Sequence, residues 1–173
     1  ELMIATRKVC TAVKQGGQVA GMRVIPLIIA QEKLDAAKAA AGDAPLLELR
    51  PWVRRTAAIV ATGSEVKNGL IQDTFTPVVR DKLAAYGIET VSVLYSGDGV
   101  DNVANAIAEA RQTGADLIFC TGGMSVDPDD NTPGGIRQSG ARIVTYGAPV
   151  LPGAMFLLGY FEDDTPIMGL PGC

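Results

Sequence analysis

The sequence predicts an α/β protein with three layers, α/β/α, around a mostly parallel sheet, preceded by a small N-terminal α+β segment. Three observations carry this. After residue 56, short apolar runs alternate with stretches of helical period, which is the pattern of βαβ units. Each of the first three runs ends in a glycine-bearing loop that leads toward a helix. Finally, 47% of the 173 residues are hydrophobic, enough for a sizeable core, while no apolar run approaches the roughly 20 residues of a membrane span.

The break between the two parts falls near Pro51-Trp52-Val53-Arg54-Arg55, giving segments 1–55 and 56–173. In the first segment Val19 to Ile29 reads as a strand after a Gly16-Gly17 turn. Gln31 to Ala41 reads as a short Ala- and Lys-rich helix stopped by Gly42, and Leu46 to Leu49 as a further strand. In the second segment Ala57 to Ala61 is the first strand. Phe75, Val79, Leu83 and Tyr86 then recur at helical spacing up to Gly87. Thr90 to Tyr95 is β-branched and strand-like. Val100, Val103, Ala104, Ile107 and Arg111 mark a second helix, stopped by Gly114. Leu117 to Cys120 is the third strand, and Thr132 to Ser139 a short helix with Thr132 as N-cap and Pro133 at its first position. Arg142 to Tyr146 follows as a strand. Met155 to Tyr160 and Pro166 to Met168 form a hairpin turning at Glu162-Asp163-Asp164.

Composition removes several chemistries. The chain has no histidine, so imidazole acid/base catalysis, His-based triads and His-ligated zinc are excluded. Cys10, Cys120 and Cys173 have no metal-ligand spacing and read as reduced thiols of a cytoplasmic protein. Residues 1–55 carry a net charge of +4 and residues 56–173 a net −8, giving −4 overall. An acidic main segment argues against nucleic-acid binding by simple electrostatics. The opening Glu1-Leu2-Met3-Ile4 has no basic leader, and a start on Glu rather than Met reads as a processed or cloned fragment.

In a parallel sheet the loops after strands one, two and three share one edge, where open α/β sheets bind ligands. They are Thr62-Gly63-Ser64-Glu65, Ser96 to Val100 and Thr121 to Asn131, each with glycine, a hydroxyl and a carboxylate. The third is the richest. Gly122-Gly123 lets a ligand approach the backbone and frees amides for an anion, while Asp127, Asp129 and Asp130 would repel that anion unless a divalent cation intervenes. A phosphate-bearing ligand handled with Mg²⁺ is the reading. Structural alternatives stand beside it: a T-x-x-E capping box at Thr62 and Glu65, helix N-capping by Asp98 and Asp101, and turn chemistry around Pro128.

From about residue 56 the chain resembles the molybdopterin-binding domain of molybdenum-cofactor biosynthesis. The resemblance rests on Thr62-Gly63-Ser64-Glu65 with Gly69-Leu70-Ile71-Gln72-Asp73, on Thr121-Gly122-Gly123-Met124-Ser125 through Asp130, and on Leu170-Pro171-Gly172. That fold is shared by molybdopterin adenylyltransferases, molybdotransferases and competence-damage-type nucleotide hydrolases. The resemblance implies that Thr121, Gly122 and Gly123, with Met124 and Ser125 alongside, cradle the phosphate and pterin. It implies that Asp98 and Asp130 serve nucleotidyl transfer through Mg²⁺, and that Leu170, Pro171 and Gly172 line the same pocket. The implied ligands are molybdopterin, ATP and Mg²⁺, and the implied assembly is a dimer or trimer. Two departures stand out. Met124-Ser125 and Asp127-Pro128-Asp129 look more like the molybdotransferase branch, yet Leu151 to Met155 lacks that branch's lysine. Three readings therefore share one pocket: a transferase of cofactor assembly, a non-catalytic pterin carrier or sensor, and a nucleotide pyrophosphatase.

Overall fold

The computed structural model describes residues 2–127 and 129–172. The chain forms two compact units, Glu1–Pro51 and Trp52–Cys173.

In the first unit β1 (Leu2–Thr6) pairs antiparallel with β2 (Ala20–Val24), from Leu2 opposite Val24 to Thr6 opposite Ala20. Helix α1 (Gln31–Ala41) follows, with no buried residue. The expected strand Val19–Ile29 is cut short at Val24. Pro26 has no amide to donate to a ladder, and Ile25, Leu27 and Ile28 lie exposed beyond the strand. Leu46 to Leu49 forms no strand; Leu46, Leu47 and Leu49 are exposed, without a pleated partner to make an apolar run into a ladder.

The second unit contains β3 (Thr56–Thr62), α2 (Ser64–Lys67), α3 (Phe75–Ala85), β4 (Glu89–Ser96), α4 (Val100–Gln112), β5 (Leu117–Thr121), α5 (Thr132–Gln138), β6 (Arg142–Tyr146), β7 (Leu157–Tyr160) and β8 (Pro166–Leu170). The six strands form one sheet in the order β4-β3-β5-β8-β7-β6. β4, β3, β5 and β8 run parallel, while β7 runs against both β8 and β6. Strand β3 is buried on both faces, which is why Ala57 to Ala61 reads as continuous apolar sequence rather than as alternation.

Its side chains nevertheless alternate between two cores. Ala58 and Val60 join Ile118, Cys120, Ile167 and Leu157 under α4 and α5, whose Val103, Ile107, Ala110 and Ile136 face inward. Ala57 and Ile59 join Leu117 under α3, through Val79 and Leu83. Each fully buried Ile or Val removes apolar surface worth about 1.5–3 kcal/mol from water, and these layers hold the strand ends in place. Burial pushes the Cys120 thiol up to about 12, so it stays protonated and unreactive. Cys10 is exposed, and Cys173 lies outside the described residues.

The entry to β3 is pinned by Asp116. Its Oδ2 accepts hydrogen bonds from the Arg55 amide at 2.7 Å, the Thr56 amide at 3.0 Å and the Thr56 hydroxyl at 3.0 Å. Those bonds, the Arg55 amide first, hold the carboxyl below its ordinary 3.8. Asp116→Ala is expected to cost about 2 kcal/mol at neutral pH, because two strand-entry amides lose a charged acceptor. A group with a depressed folded pKa contributes its stability above its unfolded pKa and loses it as pH falls through the folded value. The gap between wild type and variant should therefore close below about pH 4. Urea midpoints at pH 7 and pH 3 check this; an undiminished gap at pH 3 would contradict it.

Candidate functional site

The carboxyl ends of β3, β4, β5 and β8 lie on one edge of the sheet, so the loops that follow them share that edge. Sheet order puts the loop after β3 between the loop after β4, which carries Asp98, and the loop after β5, which carries Asp130.

Gly122 is the tightest point. It has φ +81, and a Cβ built on it would stand 2.3 Å from the Thr62 carbonyl oxygen. Gly123 has φ +53, and its Cβ would stand 2.9 Å from Thr132 Oγ1. Left-handed backbone at two successive residues turns the chain sharply enough to follow the end of β3, and an L side chain at Gly122 is excluded by both conformation and space. Two hydroxyls sit beneath the turn. Thr62 donates to the Thr121 carbonyl at 3.0 Å, Thr132 donates to the Gly122 carbonyl at 2.8 Å, and the two hydroxyls are 3.0 Å apart.

On the other side the Gly63 amide donates to the Ser96 carbonyl at 3.0 Å. Ser64 and Asp98 then clasp: the Ser64 amide donates to Asp98 Oδ2 at 3.2 Å, and the Asp98 amide donates to Ser64 Oγ at 3.1 Å. The Ser64 hydroxyl and then its amide hold the Asp98 carboxyl below the usual carboxylate range, so it is ionised at neutral pH. Asn102 Nδ2 donates to the Asp98 carbonyl at 2.6 Å. A Cβ on Gly97 would stand 3.8 Å from the Lys67 stem, which places a cation beside this loop.

The remaining expected site residues divide by exposure. Met124 is 1% exposed and its side chain packs under Gly169, so only its main chain faces the loop. Ser125 and Glu65 are exposed. Leu170 pairs with Thr121 in the sheet. A Cβ on Gly153 would stand 3.9 Å from Pro171 Cγ, so the β6–β7 loop meets the Leu170-Pro171-Gly172 stretch. Asp130 is half-buried, its amide donates to the Asp127 carbonyl at 3.1 Å, and its Oδ2 is buried without a hydrogen-bond partner. Pro128 lies outside the described residues.

The structural alternatives are corrected in turn. Thr62 is not the Thr of a capping box, because α2 starts after Gly63 and the Thr62 hydroxyl turns to Thr121 and Thr132 instead. Thr132 is the first helical residue of α5 rather than its cap, and its hydroxyl reaches back to Gly122. Neither Asp98 nor Asp101 caps α4. Gly99 holds that position without a side-chain bond, Asp98 serves Ser64, and Asp101 accepts from Gln138 Nε2 at 2.7 Å. Thr132 and Asn102 are the residues that spacing alone does not single out. Thr132 in particular sits before a proline, where the helix-start signal masks any other use of its hydroxyl.

Glycine turns and carboxylate loops at the carboxyl edge of an open, mostly parallel α/β sheet stand where ligands bind in folds of this class. The chain belongs to the probable molybdopterin binding domain family, whose model matches residues 58–173. The molybdopterin biosynthesis enzyme MoaB of Thermus thermophilus superposes with a TM-score of 0.59 and 25% identity, covering 69% of this chain and 82% of that one. A MogA structure gives a TM-score of 0.59 and 26% identity, with 69% and 85% covered. By sequence, a CinA-like protein of Mycobacterium avium is 34% identical over 80 residues, 46% of this chain. The match spans only 18% of that relative's length. Among the described residues no helix is long and apolar enough to cross a membrane.

Proposed function

We propose that the second unit binds molybdopterin, or a related phosphorylated pterin or nucleotide, as a cytoplasmic homo-oligomer in molybdenum-cofactor biosynthesis. The observation that carries this is the Gly122–Gly123 turn, folded with positive φ onto Thr62 and Thr132. Successive amides in such a turn make a concavity for an anion. Thr121, Ser125, Thr62, Gly63, Ser64, Glu65 and the Leu170-Pro171-Gly172 stretch would border the rest of the ligand.

Asp98 and Asp130 are the groups that would hold Mg²⁺. The buried, unpartnered Asp130 Oδ2 supports this, since an unsatisfied carboxylate oxygen is costly and a cation satisfies it. Among the described residues no three His, Cys, Asp or Glu side chains form a cage of their own. Magnesium takes one or two carboxylates plus ligand phosphate. When bound, the ion would neutralise phosphate charge for nucleotidyl transfer. Asp98, kept ionised by Ser64, would orient it.

Calorimetric titration of the chain with molybdopterin, with and without Mg²⁺ and ATP, tests the reading. Tight pterin binding is expected, with Asp130→Asn weakening the Mg²⁺-dependent part about tenfold. Adenylated pterin would identify a transferase, and binding without turnover a carrier or sensor. The likeness to a CinA-like protein favours one second reading, nucleotide pyrophosphatase activity, which hydrolysis of ADP-ribose without pterin would reveal. Absence of any pterin or nucleotide binding would sink the proposal.

A further inference from the structure

Thr132 is 1% exposed, begins α5 without capping it, and touches both glycines of the turn. Its hydroxyl donates to the Gly122 carbonyl at 2.8 Å and stands 2.9 Å from where a Gly123 Cβ would lie. It also meets the Thr62 hydroxyl at 3.0 Å, while Thr62 donates to the Thr121 carbonyl.

Each hydroxyl owns one proton. Three oxygen–oxygen contacts are therefore served by two protons, and one contact is always bare. If the Thr132 proton turns to Thr62, the Gly122 carbonyl loses its donor. If it stays on Gly122, the turn is pinned at the carbonyl between its two left-handed residues. Whether the Gly122 carbonyl has a donor is therefore decided by where one buried hydroxyl points.

We propose that Thr132 is a positioning residue: its hydroxyl, donated to the Gly122 carbonyl, holds the double-glycine turn in the shape that receives a phosphate group. The inference rests on the phosphate-binding reading of this site for its ligand, but not for its geometry. Valine at this position keeps the branched shape and loses the proton. Its methyl would stand where Oγ1 now lies 2.8 Å from a carbonyl oxygen, too close for carbon, so the turn must shift. Serine keeps the hydroxyl and loses only a methyl.

The experiment is a titration of the whole chain with inorganic phosphate, followed by the amide resonances of Gly122 and Gly123, in wild type, Thr132→Val and Thr132→Ser. Thr132→Val is expected to displace both free-state glycine resonances and to weaken phosphate binding about tenfold, the loss of one well-formed hydrogen bond. Thr132→Ser is expected to keep the resonances and to bind within about twofold of wild type. The proposal is overturned if the valine variant keeps both glycine resonances, if it binds phosphate like wild type, or if serine is as damaging as valine. Should wild type ignore phosphate, the ligand reading falls, and the free-state resonances alone decide the positioning role. If the valine variant does not fold, Thr132→Ala takes its place with the same readouts.

Discussion

Gly122→Ala is expected to destabilise the second unit by about 3 kcal/mol or more and to abolish ligand binding. Two costs act together. The left-handed backbone at φ +81 is strained for alanine, and the added Cβ meets the Thr62 carbonyl oxygen at 2.3 Å, with Thr62 Oγ1 at 2.9 Å. The first of those atoms is backbone of β3, paired with a strand on each side and packed on both faces, so it cannot rotate away. Relief has to come from the turn itself, which breaks the hydrogen bond from Thr132 to the Gly122 carbonyl. Gly63→Ala isolates the backbone term: its φ of +131 is at least as unfavourable for alanine, but no atom lies within 4 Å of its Cβ, so only the backbone strain applies. Urea denaturation of both variants tests the argument. An equal loss in the two would show that conformation, and not the collision with Thr62, dominates.

Gly135→Ala is expected to cost about 2–4 kcal/mol, while Gly134→Ala one position earlier stays within about 1 kcal/mol of wild type. Helix propensity alone predicts that both changes stabilise α5 by similar amounts. Tertiary packing separates them. A Cβ on Gly135 would lie 2.5 Å from both Cβ and Cγ1 of Val103 and 3.2 Å from the Val100 carbonyl, so α4 and α5 would have to move apart. A Cβ on Gly134 meets only the Val100 side chain, at 3.0 Å from its Cγ2, which can yield. Because α5 carries Thr132 beneath the glycine turn, the Gly135 variant should also lose ligand affinity. Thermal melts of the pair settle the matter, and a Gly135 variant melting at or above wild type would refute the close-packing account.

Much of the second unit is legible in one dimension. Of Val100, Val103, Ala104, Ile107 and Arg111, which mark the helix by spacing, Val103, Ala104 and Ile107 are buried, joined by Ala110, while Arg111 is exposed. The run Ala57 to Ala61 is apolar throughout because β3 is flanked by β4 and β5 and buried on both faces. The first unit is less legible. Leu46 to Leu49 has the composition of a strand without a ladder to join, and β1 is exposed along nearly all its length, so no buried face imposes an alternation on it.

For the site, residue types mark the loops but not the bonds between them. Thr62 and Glu65 fit a capping box by spacing, and Thr132 fits an N-cap before proline; the Thr62 hydroxyl instead reaches across the sheet edge to Thr121 and Thr132, 59 and 70 residues away, and the Thr132 hydroxyl also reaches 10 residues back to Gly122. Asp98 likewise looks like a cap for its own helix and grips Ser64 on the neighbouring loop.

What the sequence determined by itself is the succession of main strands and helices in the second unit and the identity of its glycine and carboxylate loops, because periodicity and turn chemistry are local. What only the tertiary structure decided is which hydroxyl holds which carbonyl and which glycines have no room for a side chain. Those depend on strands far apart in sequence meeting in register, where a few tenths of an ångström separate a hydrogen bond from a collision.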